Sequence, residues 1–422
     1  MTVAATPSSR RLVGAAPLVA VLVVGVAARA ILVPITHGAD FVVWDLASQA
    51  TLKGINVYAH HPAYAGGPYA YFPLFLYVEV PMQWLTIHTG VSFTVMGKLP
   101  IVGADLLATV LIVGEVRRRG RGGGAEAIAA ALFFLNPLVL YNGAFYGRFD
   151  SVCVALYMVA FRAYRPGRPA TWRFAVWYAL AVAAKTFPIF VLPWLLTRGR
   201  VTALRVLVAC GSITAALSAP YLLTSPQAFA RDLLYSADKL SGGLSWQVIF
   251  HGLPTAVQLS IAAALLVVFL VAVIALCLVD DFAICSVVAP LLFIVLSKQV
   301  IEQYLVWPMP LLALVVVTER SRSALFLLAS LTGAGMLVNA YYHPFGVQPA
   351  AINVVFAVLV CAGVVGLLST DRRRPAPNGG PGARVSWRGA RDGRRFAWPG
   401  RLATWSASAR PWHAPPSTRP AR

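Results

Sequence analysis

Asp40 is the residue of this sequence most able to do chemistry. It follows a long apolar run by a few positions and stands among Ala39, Phe41, Val42 and Val43. A low dielectric there would raise a carboxylate toward the pKa of a useful base. A solvated loop aspartate fits the spacing equally well. Other polar residues recur in three further segments. One is Asn136-Pro137-Leu138 with Gly147-Arg148-Phe149-Asp150-Ser151, and the second is Lys185-Thr186-Phe187-Pro188. The third runs from Lys298-Gln299 through Glu302-Gln303-Tyr304 to Trp307-Pro308. Ionisable residues at membrane depth are costly and often functional. Each has a plainer reading. Lys and Arg can snorkel, and Arg148 with Asp150 can form a local pair. Trp44, Tyr58, Tyr64, Tyr69, Tyr71 and Phe72 read one by one as an interfacial aromatic belt.

These residues need elements to hold them, and composition says which kind. Of 422 residues, 59% are hydrophobic and 12% charged, against about a quarter charged in soluble domains. Lipid is therefore the solvent. Apolar runs at about 12–33, 98–116, 126–142, 149–164, 172–184, 187–197, 202–222, 255–279, 282–297, 303–318, 323–341 and 350–369 predict an all-α polytopic protein of about 12 transmembrane helices. The run 172–197 is broken at Lys185–Pro188 and can be two short helices or one broken one. With the N-terminus in the cytoplasm, the cytoplasmic segments carry fifteen basic residues against five acidic, and the external ones seven against seven. That segregation obeys the positive-inside rule. Both termini are then cytoplasmic and the four polar segments external. The Arg10-Arg11 pair and the apolar run after it resemble a secretory signal, but the run is long enough to be an uncleaved first helix.

The net charge of +20 divides in two. Residues 371–422 carry twelve Arg and two Asp in a Pro-, Gly- and Ser-rich stretch, expected to be a disordered basic tail lying against anionic lipid heads. Residues 1–370, the transmembrane domain, supply the rest. The basicity is thus an orientation signal, and no nucleic-acid partner is expected. The five Cys fall inside spans and read as small hydrophobes. CxxC, HExxH, GxxxxGK[ST] and GxGxxG are all missing, so no nucleotide site and no metal ligands are expected. Asp105 lies inside the second span, where helix–helix hydrogen bonding is its default use. Two external loops are long, about 34–97 and 223–254, and long loops usually carry function. In the first, Asp45 is placed to cap a short helix ending at Gly54.

Together, in order and on one side, these segments resemble the GT-C membrane glycosyltransferases that use a polyprenyl-phosphate sugar. They are most similar to the catalytic subunit of GPI mannosyltransferase I and related actinobacterial enzymes. Gly38-Ala39-Asp40-Phe41 matches an Asp-x-Asp-Tyr element. Gly54-Ile55-Asn56-Val57-Tyr58 and Tyr71-Phe72-Pro73-Leu74 match the elements after it. Lys185-Thr186-Phe187-Pro188 resembles Lys-Ile-Tyr-Pro, and Gln303-Tyr304-Leu305-Val306-Trp307 resembles Gln-Tyr-Phe-x-Trp. The likeness covers about residues 12–369. One departure matters: Gly38 replaces the first Asp of the pair.

The resemblance implies a GT-C fold and transfer of mannose from a polyprenyl-phosphate donor, on the external side, to an envelope glycolipid or glycan. Inversion would give an α-linkage. Asp40 is the expected base. Lys298 and Arg148, with Lys185 behind them, are the cations expected at the donor phosphate. Tyr71, Asp150, Gln303, Tyr304 and Trp307 are expected to hold sugar and acceptor. The resemblance leaves room for a divalent metal and for a small auxiliary membrane subunit. The competing reading is a polytopic transporter or lipid-linked sugar flippase, against which stands the lack of two similar halves.

Overall fold

In hydrocarbon a backbone must satisfy its own N–H and C=O groups, so apolar runs become helices. The computed structural model describes residues 7–60, 68–235, 239–345 and 350–371. Apart from Asp371, the expected basic tail lies outside the described residues, as does Tyr64. The N-terminal run forms α1 (Pro7–Leu32). The segment read as one long loop then folds into α2 (Ala39–Leu52), α3 (Leu74–Thr89) and a single turn, α4 (Phe93–Met96). The N-cap of α2 is Gly38, not Asp45. Asp45 lies within the helix and accepts from Gln49 Nε2 at 2.8 Å. The expected stop is present, because Gly54 takes a left-handed φ of 74° just beyond the helix.

Next come α5 (Leu99–Arg118), α6 (Gly124–Phe134) and α7 (Pro137–Leu140). The pair α6–α7 bends by 48°. Pro137 cannot continue a helix through its nitrogen. The Asn136 side chain instead caps a new start, accepting from Leu138 N at 3.0 Å and Val139 N at 3.4 Å. A wide turn over Tyr141–Phe145 leads into α8 (Asp150–Ala163) and α9 (Trp172–Ala184). The break at Lys185–Pro188 does separate α9 from a tight turn (Phe187–Val191) and α10 (Leu192–Leu196). The chain continues through α11 (Arg200–Thr224), α12 (Pro226–Leu233), α13 (Thr255–Ala275) and α14 (Phe282–Leu296). A tight turn over Glu302–Val306 precedes α15 (Met309–Glu319), α16 (Arg322–Phe345) and α17 (Ala350–Asp371). Gly242–Gly243 (β1) pairs in parallel with Gln299–Val300 (β2).

The all-α polytopic architecture is as expected, while the count of twelve spans is not confirmed among the described residues. Among the described residues, six helices have the length and composition to cross alone, and the bent α6–α7 pair makes up to seven. The runs at 149–164, 172–184, 282–297 and 303–318 form helices of 14, 13, 15 and 11 residues. At 1.5 Å per residue that is roughly 17–22 Å, short of a ~30 Å core. These short helices are interior ones. Met309 through Val315 are all buried, whereas Val267, Val268, Leu270, Val271 and Ile274 of the longer α13 are more than half exposed. An interior helix can end early because protein, not lipid, meets its terminal backbone groups. Asp105 does hydrogen-bond between helices: it pairs with Arg29 at 2.9 Å and accepts from Ser151 at 2.5 Å.

A second core lies on the α2–α3 side. Phe41, Trp44, Tyr58, Tyr69, Phe75, Phe149 and Tyr221 are buried together there. The belt reading therefore fails for Trp44, Tyr58 and Tyr69, which are at most 1% exposed. Their rings meet edge-on or stacked: Trp44–Phe149 at 5.1 Å, Phe75–Phe149 at 4.2 Å, Tyr58–Tyr221 at 4.7 Å. Aromatics bury large areas in preferred geometries. This cluster seats α2, and hence Asp40, against the start of α8.

Candidate active site

The site is assembled from helix ends. Asp40 stands in the first turn of α2 and Asp150 in the first turn of α8, where the partial positive charge of a helix N-terminus favours carboxylates. Lys185 ends α9, where a cation is favoured. Arg148 comes just before α8, aimed by Gly147. That residue has φ 84°, and a Cβ on it would lie 2.6 Å from the Phe41 ring. Only glycine meets both demands.

Arg148 is the hub. Its Nη1 lies 2.6 Å from Glu302 Oε1 and donates to Asn142 Oδ1 at 3.1 Å. Its Nε lies 3.8 Å from Asp40 Oδ2, and its guanidinium sits 4.4 Å over the Tyr146 ring. The side chains of Arg148 and Glu302 are 7% and 9% exposed, whereas that of Asp40 is 41% exposed. Asp40 is therefore open to an incoming group while its cation is held from behind. Of the two readings open for Asp40, the structure matches the solvated one: Phe41, Val43 and Trp44 are buried while the carboxylate is left exposed.

Deeper, Lys185 Nζ lies 2.7 Å from Asp150 Oδ1, which also accepts from Trp307 Nε1 at 2.5 Å. The ammonium lies 5.0–5.9 Å from the rings of Phe149, Tyr71, Tyr304 and Trp307. The local Arg148–Asp150 pair allowed by the sequence is replaced by two long-range pairs, Arg148–Glu302 and Lys185–Asp150. Tyr304 and Trp307 lie 4.4 Å apart, and Trp307 stacks on Phe187 at 4.8 Å. Tyr71 packs edge-on to Phe149 at 5.0 Å. Burial, and then the Asp40 carboxylate, hold the Tyr71 phenol well above its usual pKa. It can donate a hydrogen bond but cannot serve as a base at physiological pH.

The structure thus brings together Asp40, Arg148, Asp150, Lys185, Tyr71, Tyr304 and Trp307. Gln303 is buried beside Glu302. Lys298 is not in this group; it lines a different cleft, with Leu240, Ser241, Gln247, Phe250 and Gln258. Its carbonyl accepts from Gly242 N where β1 meets β2. Sequence reasoning gave no role to Glu302, Asn142 or Tyr146. Glu302 did carry a signal, being an acid in an apolar segment of a sparsely charged chain.

A half-exposed carboxylate, a buried cation facing it and aromatic walls suit a polyhydroxylated substrate with an anionic group. The model of glycosyltransferase family 87 matches residues 69–297, more than half of the sequence. The chain belongs to glycosyltransferase family 87. It is a membrane glycosyltransferase, and the transporter reading is set aside. The match takes in Tyr71, Arg148, Asp150 and Lys185; Asp40 and Glu302 fall outside it. Crystal structures of ArnT from Cupriavidus metallidurans are similar, one bound to undecaprenyl phosphate and one in the apo state. Each has a TM-score of 0.49 and 14% identity; they cover 85% and 84% of this chain, and 77% and 76% of theirs. No curated protein matches the sequence.

The family 87 chain has a steric reason for glycine at residue 38. A Cβ there would fall 1.9 Å from the Tyr146 ring, and Gly38 N donates to Tyr146 O at 2.8 Å. Gly38→Ala is therefore expected to lower transfer by about tenfold or more through displacement of Asp40. Tyr146→Ala in the same chain should recover part of it, since the ring is the obstacle. Radiolabel transfer by the two variants in membranes checks this; a fully active Gly38→Ala would mean the contact is not limiting.

Proposed function

We propose that this glycosyltransferase moves a sugar, mannose by its motifs, from a polyprenyl-phosphate donor to a hydroxyl of an envelope glycolipid or glycan. The reaction takes place on the external side of the cell membrane, with both termini cytoplasmic. The observation that carries this reading is Arg148, buried, fixed by Glu302 at 2.6 Å and directed toward half-exposed Asp40 at 3.8 Å. Asp40 takes the proton of the acceptor hydroxyl as its oxygen attacks the anomeric carbon. The bond to the lipid phosphate breaks, and Arg148 stabilises the charge that develops on that phosphate. The attack comes from the face opposite the phosphate, so the anomeric carbon inverts. Lys185 and Asp150 hold each other and fix Trp307; Tyr71, Tyr304 and Trp307 form the surface on which the sugar ring rests. Lys298, in its own cleft, is a further cation for the donor phosphate. A small auxiliary subunit fits this scheme as a further partner.

A divalent metal held by two carboxylates does not fit these residues. The Tyr146 ring excludes a side chain at residue 38, and the positive charge between Asp40 and Glu302 is already the Arg148 guanidinium. The test supplies membranes carrying the protein with labelled polyprenyl-phosphate mannose. Label should enter a glycolipid or glycan, and should do so at an undiminished rate in EDTA. Labelled nucleotide mannose, with lipid-carrier synthesis blocked, should give no product. Transfer from the nucleotide sugar alone would overturn the lipid-donor reading.

A further inference from the structure

Lys98 is a lysine with no exposed surface at the N-terminal end of α5. Its ammonium donates to Val33 O at 2.9 Å, Ala144 O at 3.0 Å and Phe145 O at 2.8 Å, and also to Thr36 O. An ammonium has three protons, so four carbonyls share them. Two of these carbonyls belong to the segment that ends at Gly38 and Asp40. The other two belong to the turn that ends at Gly147 and Arg148. Close by, the Gly38 N–H donates to the Tyr146 carbonyl at 2.8 Å and joins the same two segments. Phe41, one residue after Asp40, lies with its ring 6.0 Å from the ammonium.

We infer that Lys98 is a positioning residue: its ammonium ties the segment carrying Asp40 to the segment carrying Arg148 and so sets their spacing. The two groups come from positions 108 residues apart in sequence, one in the first turn of α2 and one between the wide turn and α8. The turn before Arg148 is held by its own bonds, Tyr146 N to Tyr141 O and Arg148 N to Asn142 O, each at 2.8 Å, but those bonds do not use the Ala144 and Phe145 carbonyls, and buried carbonyls need a donor. A single buried cation supplies it to both segments. A shift of about 1 Å between base and cation is enough to cost about 100-fold in rate. The role of this spacing in transfer rests on the proposed reaction, while the tie itself does not.

The experiment uses the full-length protein in lipid nanodiscs, with Lys98→Met, which donates nothing, and Lys98→Gln, which keeps two donors. Amide hydrogen exchange should rise by about tenfold or more in residues 34–44 and 144–150 together, and leave α13 unchanged. At saturating donor, kcat should fall by about 10–100-fold with KM for the donor nearly unchanged, and Lys98→Gln should lose less than Lys98→Met. A merely structural lysine would lower the unfolding temperature without this split. Where Lys98→Met does not accumulate, Lys98→Gln decides. Exchange unchanged in either segment, or wild-type kcat in a folded Lys98→Met, overturns the inference. If the wild-type protein transfers nothing from any lipid-linked sugar, the proposed reaction fails, and the exchange measurement still decides whether Lys98 ties the two segments.

Discussion

Asp40→Asn is expected to lower transfer by about 10²–10⁴-fold, the usual worth of a positioned general base. The substitution keeps the shape of the side chain and removes its ability to accept a proton. The α2 helix should be unaffected, because Asp40 makes no cap hydrogen bond and α2 takes its start from Gly38. Expression, unfolding temperature and donor binding should therefore match wild type, and the loss should lie in kcat. Asp40→Glu keeps the carboxylate one methylene farther out, so it should retain more activity than Asn. The measurement is initial-rate transfer of labelled sugar at saturating polyprenyl-phosphate donor. Wild-type transfer by a normally expressed Asp40→Asn protein would remove Asp40 as the base and shift attention to Glu302. That carboxylate is already held by Arg148 at 2.6 Å and is 9% exposed, so it is less accessible to an acceptor hydroxyl than Asp40.

Much of the site was legible because charge is scarce in this chain. When only 12% of residues are charged, each acid or cation at an apolar boundary stands out. Asp40, Arg148, Asp150 and Lys185 could be picked in this way. Their partners could not. Arg148 pairs with a residue 154 positions away and Lys185 with one 35 positions away, and spacing carries no sign of either. Lys98 was invisible for a related reason. Its ligands are main-chain carbonyls, which every residue has. The span count goes unconfirmed for a different reason: apolar runs look alike whether they face lipid or protein. The run at 303–318 is as apolar as a crossing helix, yet α15 is 11 residues long and buried from Met309 through Val315. The helix α3 was missed because its sequence mixes Glu79, Gln83 and His88 with aromatics, which hides its period. The cap at Asp45 failed because Gly38 begins the helix with backbone alone.

Arg148→Met should damage both folding and activity, and the two can be pulled apart. The side chain is 7% exposed and its loss strands Glu302, itself 9% exposed, as an unpaired buried acid. Breaking one partner of a buried pair destabilises by about 3–5 kcal/mol. Transfer should fall by about 10²–10³-fold, the range for removing one stabiliser of developing negative charge. Pairing the change with Glu302→Gln removes the stranded charge, so the double variant should regain most of the stability. Activity should not return, because the leaving phosphate still lacks its cation. Arg148→Lys separates the two by a second route. It keeps a positive charge but cannot hold Glu302 and Asn142 while also facing Asp40, since a guanidinium's planar fork is not reproduced by an ammonium. It should fold well and transfer slowly. Thermal unfolding in detergent, read beside transfer rates, separates the outcomes. A double variant that recovers stability and rate together would make Arg148 a structural residue and leave Lys298 or Lys185 to meet the phosphate.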